Sequence, residues 1–137
     1  MRILIDTNVL VSAALFPQGL ARRALVEAVE GPDDAMVCDY SLAELNDVFI
    51  RKFPDDVFLL PQFMTYLEQG VKTVSTPEAS LELEVRLRDP NDQPILRAAM
   101  ASHTDIILTG DKDFLDAGLT HPEAMSPHDY LKHQIGT

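Results

Sequence analysis

Apolar positions recur along this chain with two periods, and the switches between them mark strands followed by helices. Arg2 to Ile5 is apolar and β-branched and stops at the polar Asp6, the pattern of a short buried strand. Asn8 to Leu15 and Leu20 to Val29 carry helical spacing, and Phe16-Pro17-Gln18-Gly19 breaks them apart. After the loop Gly31-Pro32-Asp33-Asp34, Ala35 to Cys38 predicts a second strand. Ser41 to Lys52 predicts an amphipathic helix with Leu42, Leu45, Val48 and Phe49 facing inward. Val57 to Gln69 predicts another, ended by Gly70, with Pro61 either breaking it or marking its start.

Val71 to Val74 reads as a third strand, and Pro77 as the first residue of a helix continuing over Glu78 to Leu87. Asp89-Pro90-Asn91-Asp92 is a turn into a helix over Gln93 to Ser102. Asp105 to Leu108 predicts a strand, with Thr109-Gly110-Asp111 at its end and a short helix near Phe114-Leu115. Ala124-Met125 predicts a last strand, and Ser126-Pro127 starts a helix through Tyr130 and Leu131. No repeat, low-complexity tract or linker interrupts the 137 residues, so one domain is expected over 1–137. The alternation predicts an α/β sandwich around a mostly parallel sheet, whose ligands bind beyond the carboxyl ends of the strands.

Composition narrows this picture. At 46% hydrophobic the chain can bury a core without covalent staples. One cysteine, Cys38, excludes an internal disulfide framework and a Cys-rich zinc site, and accords with a reducing cytoplasm. Cys38 itself reads as a buried strand residue. Neither a signal peptide nor an apolar run of membrane-spanning length is expected. The net charge of −11 argues against a polyanionic partner unless cations neutralise the acids or the bases cluster. Arg22-Arg23, Arg51-Lys52, Arg86 with Arg88, and Arg97 are the candidates for such clusters.

Four acids fall where a parallel sheet brings strand ends and helix starts to one edge: Asp6, Glu44, Asp92 and Asp111. Converging carboxylates repel unless cations neutralise them, and oxygen-only ligation suits Mg²⁺ or Mn²⁺ rather than zinc. Each acid also has a plainer reading. Asp6 can begin a turn, and Ser41-x-x-Glu44 has the form of a capping box. Asp89, Asp92 and Asp111 can cap or open helices. No one of these readings accounts for all four at one edge. His103, His121, His128 and His133 are scattered and read as solvated. Arg97 and Lys112 are phosphate-facing candidates, though an exposed position is the commoner reading for Arg97 and an equal one for Lys112, and Phe49, Phe53, Phe58 and Phe63 read as core ahead of a partner interface.

Ile3-Leu4-Ile5-Asp6-Thr7-Asn8, Ser41-Leu42-Ala43-Glu44-Leu45, Asp89-Pro90-Asn91-Asp92-Gln93-Pro94-Ile95-Leu96 and Leu108-Thr109-Gly110-Asp111-Lys112-Asp113-Phe114 resemble, in order and spacing, the motif blocks of PIN-domain ribonucleases. The resemblance spans nearly the whole chain and is nearest to bacterial toxins of toxin–antitoxin pairs. It implies a Rossmann-like three-layer fold and an endoribonuclease that uses Mg²⁺ or Mn²⁺ and leaves a 5′-phosphate and a 3′-hydroxyl. Carried onto this sequence, the catalytic and metal-binding acids are Asp6, Glu44, Asp92 and Asp111. Thr7, Asn8 and Thr109 are supporting polar groups, with Asp113 ranked below them and Asp92 preferred over Asp89. The implied partners are RNA, an antitoxin protein and a second copy of the chain, in the cytoplasm and away from membranes.

Rival chemistries fit less well. A haloacid-dehalogenase-like phosphatase wants a second aspartate two residues after Asp6, where Asn8 stands. A phosphoacceptor receiver domain wants an acidic pair that is absent. Neither G-x-G-x-x-G nor G-x-x-x-x-G-K-[ST] occurs. The non-enzymatic alternative is a PIN-like module that binds protein or RNA and cuts nothing.

Overall fold

The computed structural model describes residues 1–135. Its centre is a five-stranded sheet in the order β3-β2-β1-β4-β5, every neighbouring pair parallel. The strands are β1 (Arg2–Ile5), β2 (Asp34–Cys38), β3 (Lys72–Val74), β4 (Ile106–Leu108) and β5 (Glu123–Met125). The helices are α1 (Thr7–Leu15), α2 (Leu20–Glu30), α3 (Asp39–Lys52), α4 (Leu60–Gly70), α5 (Gln93–Ala101), α6 (Lys112–Leu115) and α7 (Pro127–Ile135). The chain winds outward through β1, β2 and β3, then returns to lay β4 on the other side of β1. That reversal opens a crevice at the carboxyl ends of β1 and β4, the usual ligand position in such sheets.

The pleat divides the core in two. Ile3 and Ile5 of β1 face one layer with α1, α2, α3, α4 and Tyr130 of α7. Leu4 faces the other, with Met36, Ile107, Ile95 and Leu96 of α5, and Phe114 of α6. The interior strands are buried on both faces, which is why they read as unbroken apolar runs rather than alternating ones. Among the described residues no single helix is long and apolar enough to cross a membrane.

Several local expectations shift by a turn, each for a physical reason. α3 starts at Asp39 after the cap residue Cys38, so Ser41 lies inside the first turn rather than capping it. The capping-box reading of Glu44 therefore fails, and the Ser41 hydroxyl is instead buried against the Cys38 sulfur at 3.3 Å. Pro61 marks the start of α4, preceded by a 3₁₀ segment over Pro54–Leu59. The helix expected over Glu78 to Leu87 is reduced to a 3₁₀ segment, Glu82–Arg86. The carbonyls of Pro77 and Glu78, which an α-helix needs for its first turn, accept from the Arg97 guanidinium at 3.2 Å each. Glu84 completes this clamp, accepting from Arg97 Nε at 3.1 Å and from the Leu81 N–H. Arg97 is thus a structural tie rather than a phosphate ligand or a free surface group. Phe49 and Phe63 are core, Phe53 is half-buried, and Phe58 lies 74% exposed, contrary to the core expectation.

Candidate active site

Asp6 is the residue at which β1 becomes α1. Its backbone N–H donates to the Leu108 carbonyl at 2.9 Å, extending the β1–β4 ladder by one bond, while its side chain caps α1. Both carboxylate oxygens are engaged. Oδ1 accepts from the Thr7 N–H at 2.7 Å, and Oδ2 accepts from the Thr109 hydroxyl at 2.7 Å and the Asn8 amide at 3.1 Å. Asn8 also accepts the Gly110 N–H at 3.0 Å, stapling the first turn of α1 to the loop after β4. Thr109 Oγ1 accepts in turn from the Asp111 N–H at 3.0 Å. Thr7, Asn8 and Thr109 therefore form one network around Asp6, as neighbours in space though Thr109 is distant in sequence.

Asp111 caps the short α6, accepting from the Asp113 N–H at 2.9 Å. Asp113 does not line the cavity; its contribution here is that backbone donor. Asp89 caps a 3₁₀ segment over Pro90–Asp92 by accepting from the Asn91 N–H at 3.0 Å. This turn drops Asp92 into the crevice, where it is buried and its Oδ2 has no hydrogen-bond partner among the described residues. Glu44 projects from α3 into the same space, and its side chain makes no hydrogen bond or ion pair among the described residues. Pro94 occupies the first turn of α5, where its missing N–H is not needed.

All four expected acids line one cavity of about 450 Å³, and Asp89 joins them. The tightest grouping is not the expected quartet. Carboxylate oxygens of Asp89, Asp92 and Asp111 lie within 4.8 Å of one another, while Asp6 is held back in its own network. Sequence spacing had set Asp89 and Asp92 against each other; the 3₁₀ turn between them brings both to the site. The charge state reflects this crowding. Burial, with repulsion from Glu44 and Asp111, pushes the Asp6 carboxyl up to about 7 against the pull of its hydrogen bonds. Burial, then repulsion from Asp6, a hydrogen bond to Asp111 that only the protonated acid can make, and repulsion from Asp111 and Asp89, pushes Asp92 to about 8. Tyr40, whose hydroxyl donates to Asn91 at 3.1 Å, is raised to about 12 by burial and by Glu44, Asp89 and Asp92.

A buried carboxylate oxygen without a donor, set between two further carboxylates, is costly as it stands and is the expected signature of a cation site. The donors are all oxygens, which suits a hard divalent ion. The remaining lining is of different character: Val11, Ser12, Leu15 and Phe16 come from α1 and its end, and Val48, Arg51, Lys52 and Phe53 from α3 and its end. Of the basic groups noted in the sequence, Arg51 and Lys52 are the ones brought to this cavity. The four histidines are exposed and take no part.

A family model described as PIN domain matches residues 2–113. Among curated protein sequences none matches the chain. Two solved structures share its architecture. A chain of VapBC2 from Rickettsia felis, bound to a DNA fragment from their promoter, is 14% identical with a TM-score of 0.66, over 92% of this chain and 98% of that one. A PilT N-terminus domain protein from the hyperthermophilic archaeon Sulfolobus solfataricus P2 is 12% identical with a TM-score of 0.53, over 100% of this chain and 96% of that one. At such identities the likeness is one of fold.

Proposed function

The chain belongs to the PIN-domain family, and from that premise we propose that it is a divalent-metal-dependent endoribonuclease, the toxin of a toxin–antitoxin pair. The observation that carries the reading is the buried Oδ2 of Asp92, without a hydrogen-bond partner among the described residues, beside Asp89 and Asp111. These three acids would hold Mg²⁺ or Mn²⁺, with Asp6 and Glu44 completing the surroundings. When bound, such an ion lowers the pKa of a coordinated water and offsets charge on a phosphodiester.

The chain's own groups do the rest. Asp6, locked by Thr7, Asn8 and Thr109, presents a carboxyl group fixed in position that cannot swing away from the crevice. Asn8 and Thr109 keep the ends of β1 and β4 in register, so Asp6 and Asp111 hold their separation. Asp92 is the group placed to orient an attacking water and take its proton. Glu44, whose side chain makes no hydrogen bond among the described residues, is the carboxylate able to adjust as substrate enters. Arg51 and Lys52 give an incoming phosphate backbone a local attraction that the net charge of −11 does not. No covalent nucleophile is required.

The toxin assignment is supported by the fold shared with the VapBC2 chain. An antitoxin would cover the acidic cavity and set an arginine among its carboxylates, and a second copy of the chain would complete a homodimer. The test is incubation of unstructured and structured RNA with Mn²⁺, Mg²⁺ or chelator, beside Asp6→Asn and Asp111→Asn, with calorimetry of metal binding. Metal-dependent cleavage lost in both variants supports the nuclease. Absence of both cleavage and metal binding overturns it in favour of a non-catalytic binding module.

A further inference from the structure

We propose that the end of the cavity remote from the carboxylates is a seat for one unpaired nucleotide of the substrate strand, with Phe16 stacking on its base and Arg51 and Lys52 taking its phosphate. This rests on the nuclease reading and adds to it a specificity-determining subsite.

The cavity changes character along its length. α1 begins at its cap Asp6 and ends beside Phe16, and α3 carries Glu44 near its start and Arg51 and Lys52 in its last turn. Both helices leave the carboxyl edge of the sheet and both line the cavity to their ends. From Glu44 to Arg51 the rise along the axis is about 10 Å. Carboxylates therefore occupy one end. The other has an apolar wall of Val11, Leu15, Phe16 and Val48 flanked by two cations.

That far end is composed against the trend of the rest of the molecule. Phe16 is 61% exposed although it follows a helix whose other large residues are packed. Arg51 and Lys52 are exposed and make neither an ion pair nor a side-chain hydrogen bond among the described residues, in a chain with 22 acids. A ring face, an aliphatic wall and unpaired cations match the two faces of a nucleotide: a flat apolar base and an anionic phosphate. The whole cavity, carboxylate end included, has a volume of about 450 Å³, in the range of small-ligand sites. A base inside a duplex has both faces stacked on its neighbours, so this seat accepts only an unpaired one. A protein segment would find the same apolar wall, but it need not carry the phosphate that the two cations select.

The experiment measures fluorescence anisotropy of a labelled unstructured oligoadenylate and of an RNA duplex in Ca²⁺, alongside cleavage in Mn²⁺. Wild type, Phe16→Ala, Phe16→Leu and Arg51→Ala are compared, with circular dichroism to confirm folding. The expected result is a loss of about tenfold in single-strand affinity for Phe16→Ala and Phe16→Leu, with duplex affinity unchanged. An abasic residue beside the cut bond should cost wild type the same factor and cost Phe16→Ala nothing further. Unaltered single-strand binding by both Phe16 variants, or abasic and Phe16 losses that simply add, overturns the seat. Single-strand binding that needs Phe16 without cleavage in Mn²⁺ supports the seat and removes the nuclease. Cleavage undiminished in the Phe16 variants leaves the nuclease and removes the seat, and neither binding nor cleavage by wild type removes both.

Discussion

The acidic cluster should make the metal-free protein lose stability as pH rises from 5 to 8. Asp6 is fully buried and its carboxyl is raised from 3.8 to about 7. In the folded state it therefore keeps a proton across a range where the unfolded chain has already released it. With more protons bound to the native state, stability falls with rising pH, and the loss is complete once pH passes the folded value. Between pH 5 and pH 7 the Asp6 contribution is about 3 kcal/mol, at 1.36 kcal/mol per pH unit. Asp92, raised to about 8, acts in the same direction over the same window. For a domain of this size 1 kcal/mol moves Tm by roughly 4 °C, so a fall of roughly 12 °C in chelator is expected by pH 8.

The perturbation that isolates the cause is Asp92→Asn. It keeps the shape, removes one charge, and offers amide hydrogens to the neighbouring carboxylates. In chelator at pH 8 the variant should be more stable than wild type by about 2 kcal/mol or more, and the difference should shrink as pH falls, vanishing below about 4. Saturating Mn²⁺ should reverse the order, adding about 2.7 kcal/mol to wild type at a hundredfold excess over Kd and little to the variant. Thermal or urea unfolding followed by circular dichroism across that pH range reads all of this. A wild-type stability that is flat or rises between pH 5 and 8 in chelator, or an Asp92→Asn variant weaker than wild type at pH 8, would refute the reasoning.

Three further outcomes are expected. Arg97→Ala leaves Glu84 buried without its partner and frees the Pro77 and Glu78 carbonyls. It should cost about 2–3 kcal/mol, with faster amide exchange across residues 77–92 and weaker metal binding through Asp89; unchanged exchange there would remove the clamp from the account. Asn8→Ala deletes the bonds to Asp6 and Gly110 and should cost about 1–3 kcal/mol by urea denaturation, with a lower cleavage rate at saturating metal; full activity would show that Asp6 needs no staple. With Arg51 and Lys52 as the cavity's cations, single-strand binding should fall with salt at a log–log slope of about −1.4, and a slope steeper than about −3 would mean that Arg22-Arg23 or Arg86 with Arg88 also reach the strand.

Much of the scaffold was legible because buried parallel strands and amphipathic helices leave periodic marks. Ile3-Leu4-Ile5 and Ile106-Ile107-Leu108 are apolar on both faces because both faces are covered. What periodicity cannot show is a helix prevented by a distant side chain, and Arg97 does that to Pro77 and Glu78 from another element. The candidate acids were legible one by one from their places at strand ends and helix starts. Their gathering at one edge was legible as well, but the tight trio of Asp89, Asp92 and Asp111 was not. Asp89 and Asp92 appear as competing readings in one dimension, and only the 3₁₀ turn that Pro90 opens brings them together. Ser41-x-x-Glu44 misled in the opposite direction: the helix started two residues early, at Asp39, which left Glu44 unused by any cap. The mark that could have led to Arg51 and Lys52 was position, the last turn of a helix whose early turns hold Glu44.

A net charge of −11 is a poor guide to what this molecule attracts, because a polyanion meets a local field rather than a total. At physiological ionic strength charges beyond about 8 Å are largely screened. The acids of the outer surface then matter little to a strand lying in the cavity. The acids within it matter greatly, yet burial and mutual repulsion already hold Asp6 and Asp92 part-protonated near neutral pH, and a divalent ion would neutralise more. What a strand bound as proposed would meet beyond them is Arg51 and Lys52, exposed and without an ion pair among the described residues. The same arrangement makes the cavity self-limiting. Under the proposed function, the cation-free cluster would repel phosphate and weaken the fold as pH rises, and a bound cation would relieve both penalties together. On the proposed function, metal binding, substrate binding and stability would be linked through Asp92, so a substitution there should change all three, and in directions that differ with pH.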